Sequence, residues 1–218
     1  MICVIPARAG STRLPGKNTK PFFGQPIINH AIDICQKAEI FSEVVLSTDS
    51  MDIARCVDID YDIRPDHLRG DVSETDVLID FMERRDITEI CRVYPFSVLL
   101  TPWRLICGAT FFEENGGTVM EFTKFKQPIL RAIKENGDYF DYQSVMERSQ
   151  DLPEFYHDAA TYMVTTIEEL KKPLYERKIT WLEVSSLECQ DVDDAEDWEM
   201  LKMKFARMHG VFRGEWDA

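Results

Sequence analysis

No apolar run in this sequence approaches the ~20 residues that a membrane-spanning helix needs. Its six cysteines (Cys3, Cys35, Cys56, Cys91, Cys107 and Cys189) form no C-x-x-C pair, which excludes the common zinc and dithiol redox motifs. No signal peptide is recognisable, so free thiols in a cytoplasmic protein are expected rather than disulfides. There is no G-x-G-x-x-G, and therefore no dinucleotide fingerprint. No repeat, linker or low-complexity stretch divides the 218 residues, which suffice for one α/β domain with a full core. Positive charge is scarce. With 25 Lys and Arg against 39 Asp and Glu, the net charge of -14 argues against nucleic acid or an anionic membrane as partner.

Against that background one stretch stands apart. Up to Ile32 the chain carries Arg8, Arg13, Lys17 and Lys20 and no acid. Ile2 to Ile5 is short, apolar and followed at once by breakers, the pattern of a buried strand. The loop from Pro6 to Asn18 then has two glycines, two prolines, small residues and three cations. A strand ending in such a loop can aim backbone N–H groups and basic side chains at one point, as phosphate sites do. Taken alone, a turn is an equal reading. It is not a Walker P-loop, because five residues separate Gly10 from Gly16, Pro15 interrupts, and Asn18 replaces the hydroxyl residue.

Further on, helical spacing runs from Ile27 to Ala38, and Glu43 to Ser47 reads as a second strand. Asp49 or Ser50 can cap the helix carrying Ile53, Ala54 and Val57. Residues 62–71 read as irregular, and a helix begins at Ser73 or Thr75. Strands are expected over 90–94, 118–122, 127–132, 161–164 and 181–184, with an Asn-Gly hairpin turn at 135–138. Helices are expected from Thr101-Pro102 to Glu114 and over 195–207. Alternating strands and helices predict a parallel sheet with crossover helices, its ligand at the carboxyl ends of the strands. Residues 148–159 lack periodicity and read as a solvated loop. Asp191 and Asp193, two apart at a strand end, can face one side and suit a hard cation; Asp194 also reads as the cap of the last helix. His30, His67 and His209 show no ligand spacing.

The segment Ile5 to Asn18, "IPARAGSTRLPGKN", resembles the signature loop of sugar nucleotidyltransferases, and above all the cytidylyltransferases that activate nine- and eight-carbon 2-keto sugar acids. Ala9 departs from the Gly usual in the nine-carbon group. "RSQDLP…YHDA" (Arg148 to Ala159) resembles pseudaminic acid cytidylyltransferases, and "DVD" at 191–193 resembles the family's metal-binding end. Pro95 to Leu100 departs from it, because Phe96 and Val98 replace small and hydroxyl residues.

The resemblance implies a three-layer Rossmann-like fold with a mainly parallel sheet, and a small β excursion at 124–160 serving dimerisation. It implies CTP and a nonulosonic acid as substrates, pseudaminic acid foremost, with Mg²⁺ on Asp191 and Asp193. Arg8 and Lys17 would act on the triphosphate. Ala7, Gly10, Ser11, Arg13, Asn18, Arg64 and Thr75 would help bind the nucleotide. Arg131, Arg148, Gln150, Tyr156, His157 and Asp158 would face the sugar. Alternatives are a cytidylyltransferase for sialic acid, legionaminic acid or 3-deoxy-manno-octulosonate, and a non-catalytic relative that binds nucleotide or sugar.

Overall fold

The computed structural model describes residues 1–211. The chain runs β1 (Ile2–Ala7), β2 (Pro21–Phe22), β3 (Gln25–Pro26), α1 (Ile27–Lys37), β4 (Glu43–Thr48), α2 (Met51–Ala54) and β5 (Asp60–Ile63). There follow α3 (Glu74–Arg85), β6 (Glu89–Val93), α4 (Pro102–Asn115), β7 (Thr118–Lys124), β8 (Tyr156–Thr166), α5 (Ile167–Lys171), β9 (Ile179–Glu183) and α6 (Ala195–His209). Seven strands form one sheet in the order β5-β4-β1-β6-β8-β7-β9, and β2 pairs only with β3. β8 alone runs against its neighbours, β6 and β7; every other pairing in the large sheet is parallel. The sheet is mainly parallel, as the alternation of strands and helices requires.

Alternation along β1 builds three layers. Cys3, Ile5 and Ala7 point to the face covered by Ile28, Ile32 and Cys35 of α1 and Leu105 and Phe112 of α4. Val4 points to the other face, against Leu78, Phe81 and Met82 of α3 and Leu170 of α5. A third cluster sits at the carboxyl end of β1. There Leu14, Phe22, Phe96, Val98 and Leu99 pack on Val192 and on Trp198, Leu201 and Phe205 of α6. Phe96 and Val98 are thus core residues, 6% and 1% exposed, that seat the last helix.

Local chemistry explains the helix ends. The Thr101 hydroxyl accepts the Arg104 N–H at 3.4 Å, with Pro102 in the first turn. Asp194 accepts from the N–H groups of Glu196 and Asp197, and Asp197 accepts in return from the Asp194 N–H, a capping box. Of the two expected caps of α2, Ser50 is the one used, accepting from the Ile53 N–H.

Four expectations are corrected. Residues 60–63 form the edge strand β5; their charged, half-exposed side chains hide the pattern of a strand paired on one side only. Residues 129–131 are a 3-10 turn, not part of a strand, and the Asn-Gly turn closes a single bridge between Ile133 and Tyr139. Residues 156–160, read as loop, begin the eleven-residue β8; Ala160 at φ 52° and a register shift opposite Met120 and Phe122 break its periodicity. Asp191 and Asp193 lie in irregular chain between β9 and α6, not at a strand end. All six cysteines are free.

Candidate active site

The loop after β1 lies at the carboxyl edge of the sheet, as parallel topology predicts for a ligand loop. Its shape is fixed by hydrogen bonds within the loop and to its neighbours. Asn18, 7% exposed, donates its side-chain N–H to the Arg8 carbonyl at 2.9 Å. Gly16 takes the left-handed conformation at φ 68°, which lets the Lys17 N–H return to the Leu14 carbonyl at 3.1 Å. The Asp49 carboxylate accepts from the Ala9 N–H at 2.9 Å and the Gly70 N–H at 3.2 Å, tying two loops to the end of β4.

Each cation of the loop meets a different element. Arg8 Nη1 lies 2.6 Å from Asp71 Oδ1, and Arg13 Nη2 lies 2.8 Å from Asp193 Oδ2. Lys17 Nζ donates to the Val192 carbonyl and sits 4.3 Å from the centre of the Phe96 ring. Burial lowers the pKa of Lys17, against the opposing pull of Asp191 and Asp193. Arg64, 5% exposed, donates Nε and Nη2 to Ser47 at 3.3 and 3.1 Å, and burial lowers its pKa as well.

These groups wall one cleft of about 330 Å³. Arg8, Ser11, Arg13, Lys17, Asn18 and Arg64 all line it, with Asp193 at one end. Ala7 is fully buried at the end of β1, and Gly10 and Thr75 lie outside the cleft lining. Such a concentration of guanidinium and ammonium groups fits a polyanion, because each offers several charged donors to phosphate oxygens.

A second cleft, of about 370 Å³, lies on the far side of Asp193. Asp193 lines both. The second cleft holds His157, Asp158, Asp191, Asp197 and Lys204. Burial raises the Asp191 pKa, and the Asp193 charge raises it further. Lys204 donates to the Cys189 carbonyl at 2.8 Å and to Gln190 Oε1 at 2.6 Å, and burial lowers its pKa.

The remaining expected sugar residues do not gather there. Arg131 and Gln150 line a separate cleft of the 125–155 excursion, where Arg131 donates to the Ser144 and Glu147 carbonyls. Arg148 pairs with Asp151 at 2.8 Å. The Tyr156 hydroxyl donates toward Glu154 and Glu183, on the opposite strand face from His157. Sequence reading missed Asp49, Glu74 and Lys204. Asp49 looked like a helix cap, while Glu74 and Lys204 follow ordinary helical spacing; no local signal marks them.

The sequence profile of the cytidylyltransferase family matches residues 2–106. The chain is 32% identical to the pseudaminic acid cytidylyltransferase of Campylobacter jejuni serotype O:2, over 95% of this chain and 97% of that protein. The chain belongs to the cytidylyltransferase family. Within it, the CMP-N,N'-diacetyllegionaminic acid synthase of Legionella pneumophila is 27% identical over 92% of this chain and 94% of its own. The fold matches that of a CMP:2-keto-3-deoxy-manno-octonic acid synthetase complexed with CTP, with a TM-score of 0.73, 16% identity and coverage of 95% and 98%.

As a cytidylyltransferase the protein is a nucleotidyl-transferring enzyme. Among the described residues no three His, Cys, Asp or Glu side chains gather as a metal site. Two carboxylates stand near one another here, Asp193 lining both clefts and Asp191 the second. Two suffice for a hard divalent cation that takes its other ligands from water and substrate phosphate oxygens.

Proposed function

We propose that the protein joins CMP from CTP to a nonulosonic acid, pseudaminic acid in preference to others, and releases pyrophosphate. The observation that carries this reading is Asp193, which lines both the cationic cleft and the cleft of His157 and Asp158. A reaction between two substrates needs their reacting atoms at one such junction.

The sugar's anomeric hydroxyl oxygen attacks the α-phosphorus of CTP. The bond from that phosphorus to the bridging oxygen breaks, and pyrophosphate leaves in line. No protein nucleophile takes part. Arg8, Arg13 and Lys17 bind the triphosphate and take up charge as it moves onto the leaving group, which is where preorganised cations contribute most. Asn18 holds the loop in place through the Arg8 carbonyl. Asp191 and Asp193 would hold Mg²⁺, which supplies charge neutralisation on the phosphates and orientation of the α-phosphoryl group. Arg64, which lines the same cleft, would contact the nucleoside. His157 and Asp158 would read the sugar's substituents. The match over 95% of the chain to a pseudaminic acid cytidylyltransferase supports this reading.

We also assign a homodimer formed through the excursion. Ile133, Phe140, Tyr142 and Met146 are 63%, 58%, 64% and 88% exposed there, more apolar surface than one small lobe ordinarily leaves to water.

Pyrophosphate release tests the function, with CTP, Mg²⁺ and separately pseudaminic acid, N-acetylneuraminic acid, N,N'-diacetyllegionaminic acid and 3-deoxy-manno-octulosonate. Release with pseudaminic acid at the highest kcat/KM is expected. A preference for another acid transfers the activity to that sugar, and CTP binding without release with any of them refutes catalysis.

A further inference from the structure

One carboxylate in the cationic cleft has no role toward a triphosphate. Glu74, the first residue of α3, lines the cleft beside Arg64, Val72 and Val77. It pairs with none of the loop cations. Its Oε1 instead lies 2.8 Å from Nε of Arg92. Arg92 sits within β6, 3% exposed, with its guanidinium carbon 3.8 Å from the centre of the Tyr94 ring. Its Nη1 has no hydrogen-bond partner, and Nε meets Glu74 in charge and distance without hydrogen-bond alignment.

A buried guanidinium without its counter-charge is strongly destabilising, and Glu74 supplies that counter-charge to Arg92. A carboxylate can accept about four hydrogen bonds; Arg92 engages one oxygen of Glu74, and the Tyr94 hydroxyl also lies against the carboxylate. Acceptor positions beyond those two remain on the side that lines the cleft. A carboxylate there would repel phosphate but would welcome a neutral N–H donor. Nearby, Arg64 gives Nε and Nη2 to Ser47 and keeps Nη1 for a ligand. The wall thus offers one donor and one acceptor, with the apolar side chains of Val72 and Val77 beside them. Cytosine presents that complement: a carbonyl acceptor and an exocyclic amino donor on one edge. Uracil presents a second carbonyl oxygen where cytosine has the amino group.

We propose that Glu74, carried on the buried Arg92, accepts a hydrogen bond from the exocyclic amino group of cytosine and so selects CTP over UTP. Carboxylate acceptors pair with the cytosine amino group in the same way at nucleic-acid edges. The assignment rests on the reading of the cleft as a nucleotide site.

Calorimetric titration of the full chain with CTP and with UTP, in the presence of Mg²⁺, tests it. The unmodified protein should bind CTP at least tenfold more tightly. In Glu74→Gln the amide oxygen can face Arg92 while its NH₂ faces the base, which suits the uracil oxygen. The CTP/UTP ratio should then fall by about ten- to a hundredfold, the range for a hydrogen bond to a charged group. A lowered Tm with the ratio unchanged makes the pair merely structural and overturns the proposal. Should Glu74→Gln fail to fold, Glu74→Asp keeps a charge for Arg92 but withdraws it from the base, and should narrow the ratio too; an unchanged ratio in it overturns the proposal. On the unmodified protein, 2-pyrimidinone riboside triphosphate lacks the amino group and should bind tenfold or more weakly than CTP; equal binding also overturns it. CTP selectivity lost in Glu74→Gln, in a protein that releases no pyrophosphate, refutes the transferase reading alone. Full turnover with the ratio unmoved refutes only the role of Glu74.

Discussion

Lys17 Nζ donates a hydrogen bond to the main-chain carbonyl of Val192, a residue 175 positions away. Val192 stands between Asp191 and Asp193, so one ammonium group ties the loop after β1 to the segment that carries both carboxylates. Lys17→Ala should therefore weaken CTP binding and raise the Mg²⁺ concentration needed for half-maximal rate, with kcat/KM for CTP falling about a hundredfold or more. A defect confined to CTP, with Mg²⁺ dependence unchanged, would separate the two tasks and contradict this account.

The same lysine predicts a pH effect. Burial lowers its pKa from the ordinary 10.5. The folded protein thus gives up this proton at a lower pH than the unfolded chain, and stability from this group grows as pH rises toward 10.5. Binding runs the other way, because the triphosphate needs the cation. CTP affinity should decline on the alkaline side below pH 10.5, and Lys17→Arg should move that decline upward. Affinity independent of pH up to that value would refute it.

Asp191 illustrates a cost in the free protein. Burial and the neighbouring Asp193 raise its pKa above the ordinary 3.8. Its contribution to stability is present below that unfolded value and is lost as pH rises through the folded one, so at neutral pH the charge is unfavourable. Asp191→Asn should raise Tm in metal-free buffer at pH 7 and shed that advantage near pH 4. Turnover should fall by several kcal/mol of transition-state stabilisation, or about a thousandfold. Near-normal rates at limiting Mg²⁺ would remove Asp191 from the metal.

His157 is the sugar-side test. Its Nδ1 lies 2.9 Å from the Asp158 carbonyl and its ring centre 4.6 Å from that of Phe125, so the ring is positioned rather than free. Sites built to hydrogen-bond particular substituents reject analogues that leave polar groups unpaired. His157→Ala should narrow the kcat/KM ratio of pseudaminic to N-acetylneuraminic acid, with KM for CTP unchanged. An unchanged ratio would make His157 structural.

The helix behind the site offers a stability test. Asp194→Ala removes acceptors for the Glu196 and Asp197 N–H groups and should cost about 1 kcal/mol, read as a lower midpoint in urea denaturation. α6 also carries Lys204, which lines the second cleft, so a small rise in the KM for the sugar should accompany it.

Much of this was legible in the chain itself. The acid-free start, the loop from Arg8 to Asn18 and the strand–helix alternation all follow from local pattern, and the loop cations do share one cleft. What escaped was long-range. Asp60–Ile63 is a strand because β4 offers an edge, not because its own residues alternate. Residues 156–160 join β8 through a bulge that destroys period two. Glu74 and Arg92 find each other across 18 positions of sequence, on α3 and β6, and neither residue alone suggests the other. The six residues assigned to the sugar divide among different surfaces because a loop motif in sequence does not state which way each side chain turns.

The ion pair of Arg13 with Asp193 couples the two sites that the proposed reading assigns to nucleotide and metal. Its two side chains are 66% and 41% exposed, so it is worth about 1 kcal/mol at most. A metal ion drawing on Asp193 releases Arg13 toward a triphosphate, and a triphosphate drawing on Arg13 releases Asp193 toward a metal ion. Each ligand thereby removes a competitor of the other. On the proposed reading, thermodynamic reciprocity makes the benefit equal in both directions, up to about fivefold in affinity, so nucleotide and metal each bind more tightly once the other is in place.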